Sequence, residues 1–240
     1  MKKILCMLLA ALMLVCAMTA CSTNGGNTDS ANVIKIGVFE PATGENGAGG
    51  QQEVLGIRYA NSVKPTITLG GTEYKIELVE VDNQSDKAAA VTAAQSLVSS
   101  KVIGVLGSYG SGVSIAAAST FADAGIPAIG ISCTNAAVTE GNEYYFRTCF
   151  LDPFQGAVLA KNAWDKGVRK AYTLAETGNA YDLGLASSFK TAFEKLGGKV
   201  IQETFPTNTT NFSDYLQKAL DKKADVIFAS NSTTVAANLL

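Results

Sequence analysis

The sequence of 240 residues contains no histidine. A Ser-His-Asp triad, a Cys-His pair and a histidine proton shuttle are therefore excluded, and no histidine can complete a zinc site. The sequence also has no large excess of either charge, because 19 basic and 21 acidic residues give a net charge of −2, and the basic residues are scattered. Neither nucleic acid nor an anionic membrane face is expected as a partner, and no metal or other cofactor is expected.

The apolar run at residues 4–15 is too short for a stable membrane-spanning helix. It follows two lysines and precedes two small residues and Cys21, which is the pattern of a bacterial lipoprotein signal. We expect residues 1–20 to be the signal peptide and Cys21 to carry the lipid that anchors the protein to the extracytoplasmic face of the cell membrane. An ordinary secretory peptide with an incidental cysteine is the alternative. Residues 21–32 are polar and glycine-rich, as in a flexible tether.

Cysteine is scarce beyond this segment. Cys6 and Cys16 would leave with the signal peptide and Cys21 would be lipidated, so only Cys133 and Cys149 would remain as thiols. An extracytoplasmic location permits a disulfide between these two, while two separate, partly buried thiols are the favoured alternative. A metal site on the two cysteines would lack other ligands nearby.

Apolar and amphipathic segments alternate along the rest of the chain. The whole sequence is 47% hydrophobic, and the part that follows the tether is long enough for one large or two small lobes. Ser85 is a plausible N-cap for one of the helices. Repeated strand-helix units indicate α/β architecture with a parallel sheet covered by helices. Strands are predicted at residues 33–39, 74–81, 102–106 and 127–131, and helices at residues 51–63, 85–99 and 112–124.

The same rhythm restarts after a predicted crossing strand at residues 144–148. Asp152 and Pro153 have the pattern of an N-cap followed by proline at the first helical position. We therefore expect an N-terminal lobe over residues 33–148 and a C-terminal lobe over residues 149–240. The second lobe has fewer strands than the first, so an incomplete lobe is expected. Helices are predicted at residues 153–166, 181–196 and 212–220 and near the end, and strands at 170–174, 200–205 and 225–228.

Three turns rich in glycine and hydroxyl groups follow predicted strands, at residues 41–50, 107–112 and 132–135. Ligands of open α/β sheets bind at the carboxyl ends of strands. The second turn leads into a helix, whose free N–H groups and dipole favour an anion of low charge such as a carboxylate. Neither a P-loop nor G-x-G-x-x-G is present, so a nucleotide is not favoured; tight βα turns are the structural alternative.

The order and spacing of several segments carry a resemblance to known proteins. These segments are IKIGVFEPATGENGAGGQ, YKIELVEVDNQSDKAAAV, VIGVLGSYGSGVSIAAASTFADAGIPAIGISCTN, YYFRT followed by DPFQG, and NAYDLGLASSF. Together they resemble the substrate-binding proteins of branched-chain amino acid ABC transporters, which have the type I periplasmic-binding fold. The resemblance runs from about Val33 to the end of the chain. It implies two α/β lobes that close on a small amino acid or a related carboxylate or amide, which is then delivered to an ABC permease and its ATPase subunits.

The resemblance also implies ligand-binding residues. The family's carboxylate-binding serine falls on Ser111, with Ser108 and Gly110 beside it. The residues that would take the ligand's ammonium fall on Ser132 and Thr134.

In the second lobe the family's tyrosine falls on Tyr181, here followed by Asp182 instead of glycine. Gly49 stands where many relatives have an aromatic residue, and we expect it to leave a more open pocket wall; a positive φ in a glycine-rich loop is the alternative. Ser232 and Thr233 replace a frequent tyrosine, and the family's acidic partner of the ammonium would lie beyond Leu240.

Three classes of function are weighed. A lipid-anchored ligand receptor for an ABC permease fits the sequence best. A sensing receptor of the same fold acting on a signalling partner is the alternative. An enzyme using Ser108, Ser111 or Cys133 as nucleophile would lack a base, because no histidine and no obvious lysine accompanies them, so no catalysis is expected.

Overall fold

A computed structural model of the protein describes residues 32–240. The predicted signal peptide, the tether to residue 31 and the lipidation site Cys21 lie outside the described residues. Ile34–Leu240 forms one compact unit. Within the described range, none of the helices has both the length and the apolar character needed to cross a membrane.

The first part of the chain builds a sheet of six strands flanked by three long helices. The strand order is β2-β3-β1-β4-β5-β6, in which β4 pairs in parallel with β1 and β5, and β5 pairs in parallel with β6. The strands are β1 (Val33–Glu40), β2 (Thr66–Leu69), β3 (Thr72–Asp82), β4 (Gly104–Leu106), β5 (Ala128–Gly130) and β6 (Tyr145–Arg147), and the helices are α1 (Gly47–Val63), α2 (Lys87–Ser99) and α3 (Ser111–Asp123), with a 3₁₀ turn at Ala136–Val138.

The second part of the chain builds a parallel sheet of three strands in the order β8-β7-β9. Six consecutive residues of the central strand β7 are buried, whereas the flanking strands β8 and β9 consist mostly of half-buried and exposed residues. The strands are β7 (Lys170–Glu176), β8 (Lys199–Phe205) and β9 (Val226–Ala229), and the helices are α4 (Asp152–Asp165), α5 (Ala180–Lys195), α6 (Ser213–Asp221) and α7 (Thr233–Leu239).

The predicted alternation of strands and helices is confirmed, with four local differences. Helix α1 begins at Gly47 and not at residue 51, so the last four residues of the predicted turn at residues 41–50 are helical. The hairpin strand β2 was not predicted, because TITL is short and half-exposed, and it pairs antiparallel with β3 across Gly70 and Gly71, both at positive φ. The N-cap of α2 is Asp86, whose carboxylate accepts hydrogen bonds from two backbone N–H groups, and not Ser85. Asp152 is already the first residue of α4, after Leu151 as N-cap.

The topology creates two places where consecutive loops diverge at the carboxyl ends of strands. In the first sheet this occurs between β1 and β4, and in the second between β7 and β9. Such points leave an open crevice above the sheet, where ligands of α/β proteins bind. Two side-chain hydrogen bonds join the two parts of the chain: Lys87 Nζ donates to Gly178 O at 2.9 Å, and Asn135 Nδ2 donates to Ala180 O at 2.7 Å. The predicted lobe limit at residues 148 and 149 stays a prediction.

Candidate ligand-binding site

The turn after β4 delivers three of the predicted site residues to the start of α3. Ser111 is the first residue of the helix and Gly110 is its N-cap, and no side chain of the described chain caps this end. Backbone N–H groups in the first helical turn therefore remain available to an acceptor from the crevice. Ser108 is fully buried, and its hydroxyl oxygen accepts a hydrogen bond from Asn83 Nδ2 at 2.9 Å. Its side chain thus ties the turn to the end of β3.

Ser111 also connects this turn to the one after β5. Its hydroxyl oxygen accepts a hydrogen bond from the backbone N–H of Asn135 at 3.3 Å. The neighbouring residue Thr134 is 5% exposed, and its hydroxyl has no hydrogen-bond partner among the described residues. A buried hydroxyl without a partner costs free energy unless a ligand or water satisfies it. The two predicted head-group residues are therefore adjacent, and Thr134 keeps free hydrogen-bonding capacity.

Asp152 lies beside Thr134 and was predicted only as a helix cap. The side chain is 2% exposed, and within residues 32–240 neither carboxylate oxygen has a hydrogen-bond partner. Burial raises the pKa of Asp152, whereas the neighbouring Thr134 hydroxyl and the charge of Arg147 lower it; no hydrogen bond of standard geometry joins this hydroxyl to Asp152. Gly184 of α5 leaves room for this group, since a Cβ there would lie 2.8 Å from Asp152 Oδ2. An acceptor group thus faces the junction between the two sheets.

Ser132, the third predicted residue of this turn, points to a different partner. Its hydroxyl donates a short hydrogen bond to Oε1 of Glu53 on α1. Glu53 in turn lies against Glu40, the last residue of β1, which is 1% exposed. Neither glutamate was predicted as a site residue. A sequence signal existed, because an acidic residue that ends an apolar strand is unusual.

Gly49 does not leave an open pocket wall. It lies inside α1 and is not among the residues with positive φ, so both expectations for this residue are wrong. A Cβ at this position would lie 2.5 Å from the ring of Tyr109, a residue of the β4–α3 turn that is 39% exposed. An aromatic side chain therefore covers this wall, supplied by Tyr109 from a distant part of the chain.

The second sheet contributes Tyr181 from the first turn of α5. Its hydroxyl oxygen accepts a hydrogen bond from Gln155 Nε2 at 3.4 Å. Burial raises the pKa of Tyr181, and Asp152, Asp182 and Tyr109 raise it further through their charge. Because charges act over short distances in proteins, Tyr181 lies near the Asp152 and Tyr109 side of the crevice.

Asp182 occupies the point where the loops after β7 and β9 diverge. Its Oδ2 accepts hydrogen bonds from the backbone N–H of Glu176 at 3.1 Å and from Asn231 Nδ2. Burial raises the pKa of Asp182 to about 7; the hydrogen bonds lower it, and the charges of Glu176 and Glu45 raise it. The residue that replaces the family's glycine thus fastens the β9 loop to α5.

The two remaining cysteines are separate. Cys133 is buried and Cys149 is partly buried, and neither forms a disulfide, which confirms the favoured expectation. Burial raises the pKa of Cys133 to about 11. A thiol with so high a pKa is almost entirely protonated at neutral pH and is a poor nucleophile.

The structure therefore brings the predicted residues of the first sheet to one edge, around the start of α3. Ser111 and Thr134 lie next to each other through Asn135, Ser132 and Gly49 lie on the α1 side, and Tyr181 faces them from the second sheet. Free N–H groups at the start of α3 and free acceptors on Thr134 and Asp152 give this edge opposite hydrogen-bonding polarities.

Known proteins share this architecture. An amino acid binding protein of Pseudomonas aeruginosa is 30% identical over 218 residues, which cover 89% of this chain and 58% of that protein. A leucine-binding protein of Thermotoga maritima superposes with a TM-score of 0.76 at 33% identity, covering 81% of this chain and 55% of that chain. A solute-binding protein of R. palustris in complex with benzoate superposes with a TM-score of 0.77 at 25% identity, covering 87% of this chain and 58% of that chain.

The chain thus spans little more than half the length of these relatives. The superpositions confirm the predicted two-lobe periplasmic-binding fold. The sequence profile of the family described as periplasmic binding protein matches residues 33–240. On this match, which covers every strand and helix described above, the chain belongs to the periplasmic binding protein family.

Proposed function

We propose that this protein is an extracytoplasmic solute receptor that captures a small amino acid, or a related carboxylate or amide, and delivers it to an ABC permease with its ATPase subunits. The observation that carries this proposal is the pairing of free backbone donors at the start of α3 with the unpartnered, buried acceptors Thr134 and Asp152. A zwitterion supplies one group for each: a carboxylate for the N–H groups and an ammonium for the oxygens.

The low net charge agrees with this ligand class. A zwitterion needs no overall charge match, and the chain has a net charge of −2 without a basic cluster. Relatives support the same class: one is described as an amino acid binding protein and one as a leucine-binding protein, although a benzoate complex shows that the fold also accepts a carboxylate without an amine. A lipid anchor at Cys21 would hold the receptor near its permease.

A thermal-shift panel tests the ligand class on the purified full-length protein. The probes are L-leucine, L-isoleucine, L-valine, benzoate and 4-hydroxybenzoate. A ligand that binds only the folded state raises the melting temperature. At a ligand concentration a hundredfold above its Kd, the free energy of unfolding increases by about 2.7 kcal/mol. We expect at least one amino acid to raise it. No shift with any probe would contradict the proposed ligand class.

Calorimetry with site variants tests the placement of the site. Ser111→Ala, Thr134→Ala and Asp152→Asn each remove or weaken one hydrogen bond to a charged group, which should cost about 1.5 to 3 kcal/mol, or roughly ten- to more than a hundredfold in affinity. Thr92→Ala is the matched control, because this exposed threonine on α2 bonds only to Ala88 O within its own helix. Wild-type affinity in all three folded site variants would show that the site lies elsewhere.

A further inference from the structure

Glu40 and Glu53 form a buried carboxyl pair beside the candidate site. Glu40 Oε1 and Glu53 Oε2 are both fully buried, and neither atom has a hydrogen-bond partner in the described chain. The two carboxyl groups are close enough for each to shift the pKa of the other. Ionised carboxylates have only acceptors, so these two oxygens can satisfy each other only if one of the groups carries a proton.

The outer oxygens of the pair are both occupied by residues of the candidate site. Glu40 Oε2 accepts a hydrogen bond from the backbone N–H of Tyr109 at 2.7 Å, and Glu53 Oε1 accepts the hydroxyl proton of Ser132. The pair is enclosed at Gly107, where a Cβ would lie 2.6 Å from Glu40 Oε1. Each carboxyl group therefore holds one of the two turns that bear the predicted head-group residues.

The surroundings place the proton on Glu40. Burial, followed by the charge of Glu53, raises the pKa of Glu40 to about 10, and burial raises the pKa of Glu53. The other titratable groups that face the pair are Tyr145 of β6, near Glu40, and Cys149, near Glu53. Within the described chain, no basic side chain contributes to the pKa of either glutamate. Burial without a basic partner therefore favours the neutral form of Glu40, which can donate a hydrogen bond to Glu53.

We propose that Glu53, which lies against Glu40, is a positioning residue that fixes the hydroxyl of Ser132 as a hydrogen-bond acceptor toward the ligand. Because Ser132 gives its only proton to Glu53, its remaining lone pairs can receive only an N–H or O–H donor. Glu40 likewise accepts a hydrogen bond from the backbone N–H of Tyr109, so this donor is not available to a ligand. The uncapped N–H groups at the start of α3 are the donors that remain for an anion. The pair thereby sets the orientation of a bound ligand, with its amine toward Ser132 and its carboxylate toward the start of α3. This consequence rests on the proposed function, whereas the carboxyl pair does not.

Two spectroscopic measurements test the pair without any ligand. Infrared spectra of protein with ¹³C-labelled glutamate should show the carbonyl band of a protonated carboxyl group at neutral pH. The band should vanish in Glu40→Gln and persist in Glu45→Gln, an exposed acid of the neighbouring loop that serves as the matched control. The hydroxyl proton of Ser132 should exchange slowly in NMR spectra and should be lost in Ser132→Ala.

Glu40→Gln is designed to preserve the structure, because its amide N–H can donate to Glu53 while its carbonyl accepts from Tyr109. A neutral-pH infrared spectrum of wild-type protein without a protonated carboxyl band would overturn the proposal. A rapidly exchanging Ser132 hydroxyl would do the same. Both results come from the wild-type protein and therefore do not depend on the folding of any variant.

A binding experiment tests the consequence for specificity. L-leucine and its analogue without the amine, 4-methylpentanoate, are compared on wild type, Glu53→Ala and Ser132→Ala. We expect both variants to lose at least about tenfold in affinity for L-leucine, with little change for 4-methylpentanoate. Equal losses for both probes would overturn the role of Ser132. Binding of neither probe to wild type would count against the proposed function, while the infrared and NMR results would still decide whether the carboxyl pair exists.

Discussion

Replacing Asp182 with asparagine should make the protein more stable at neutral pH. The carboxylate is 1% exposed, and its pKa in the folded protein is raised to about 7 from an ordinary value of 3.8, mainly by burial. Asparagine is nearly isosteric, and its carbonyl can accept the same hydrogen bonds from Glu176 N and Asn231 Nδ2. The substitution therefore removes the cost of burying a charge and keeps the hydrogen bonds.

The magnitude follows from proton linkage. A carboxyl group whose pKa is higher in the folded state contributes stability below its unfolded pKa and loses it as the pH rises to the folded value. A difference of roughly three pKa units, at about 1.4 kcal/mol each, is worth up to about 4 kcal/mol. The free energy of unfolding of Asp182→Asn minus that of wild type should therefore increase from about pH 4 to about pH 7 by up to this amount and level off above.

Urea unfolding followed by circular dichroism, at pH steps of about one unit, measures this difference. Asp225→Asn provides a control of opposite sign. The backbone N–H groups of Arg169 and Lys170 lower the pKa of the exposed Asp225, so this residue stabilises the fold above its unfolded pKa and loses that effect as the pH falls. Its asparagine variant should be less stable than wild type at neutral pH and approach it in acid. A difference for Asp182→Asn that is independent of pH, or that grows toward acid, would refute the reasoning.

Three further predictions follow from close contacts and from the predicted signal peptide. Gly49→Ala should displace the ring of Tyr109, which would lie 2.5 Å from the new Cβ, and calorimetry should therefore show a changed ligand affinity while the melting temperature stays close to that of wild type. Gly56→Ala in the same helix is the control, because its Cβ would have open space around it. This variant should be more stable by about 0.5 to 1 kcal/mol and should bind the ligand as wild type does. Gly156→Ala should destabilise by about 1 to 3 kcal/mol or more in chemical unfolding, because its Cβ would lie 2.6 Å from the backbone of α5; wild-type stability would contradict this close packing of α4 on α5. Cys21→Ala should release the protein from membranes or leave uncleaved precursor, and unchanged labelling by a fatty-acid probe would show that Cys21 is not the anchor.

Much of the fold could be predicted from the sequence, because strands and helices depend on local patterns. The apolar run that became β7 and the alanine-rich stretch that became α2 have the periodicity of their elements. The short, half-exposed strand β2 was missed, since TITL buries too little apolar surface to give a clear pattern. The start of α2 was displaced because Ser85 and Asp86 compete for the N-cap, and α1 begins four residues before its predicted start because its first turn consists largely of glycine.

The sequence by itself determined which turns follow strands and carry hydroxyl groups, and hence that Ser111, Ser132 and Thr134 meet at one edge of a sheet. It could not determine how these groups are partnered. Glu53 meets Ser132 across 79 positions of the chain, and the side chain of Tyr109 lies against Gly49 from another turn. Such contacts depend on sheet order and helix packing, which bring distant residues within hydrogen-bond range and exclude water from them. Only the tertiary structure therefore decided which acids are buried and which hydroxyl protons are already donated, and these two features decide which hydrogen-bonding groups remain free at the candidate site.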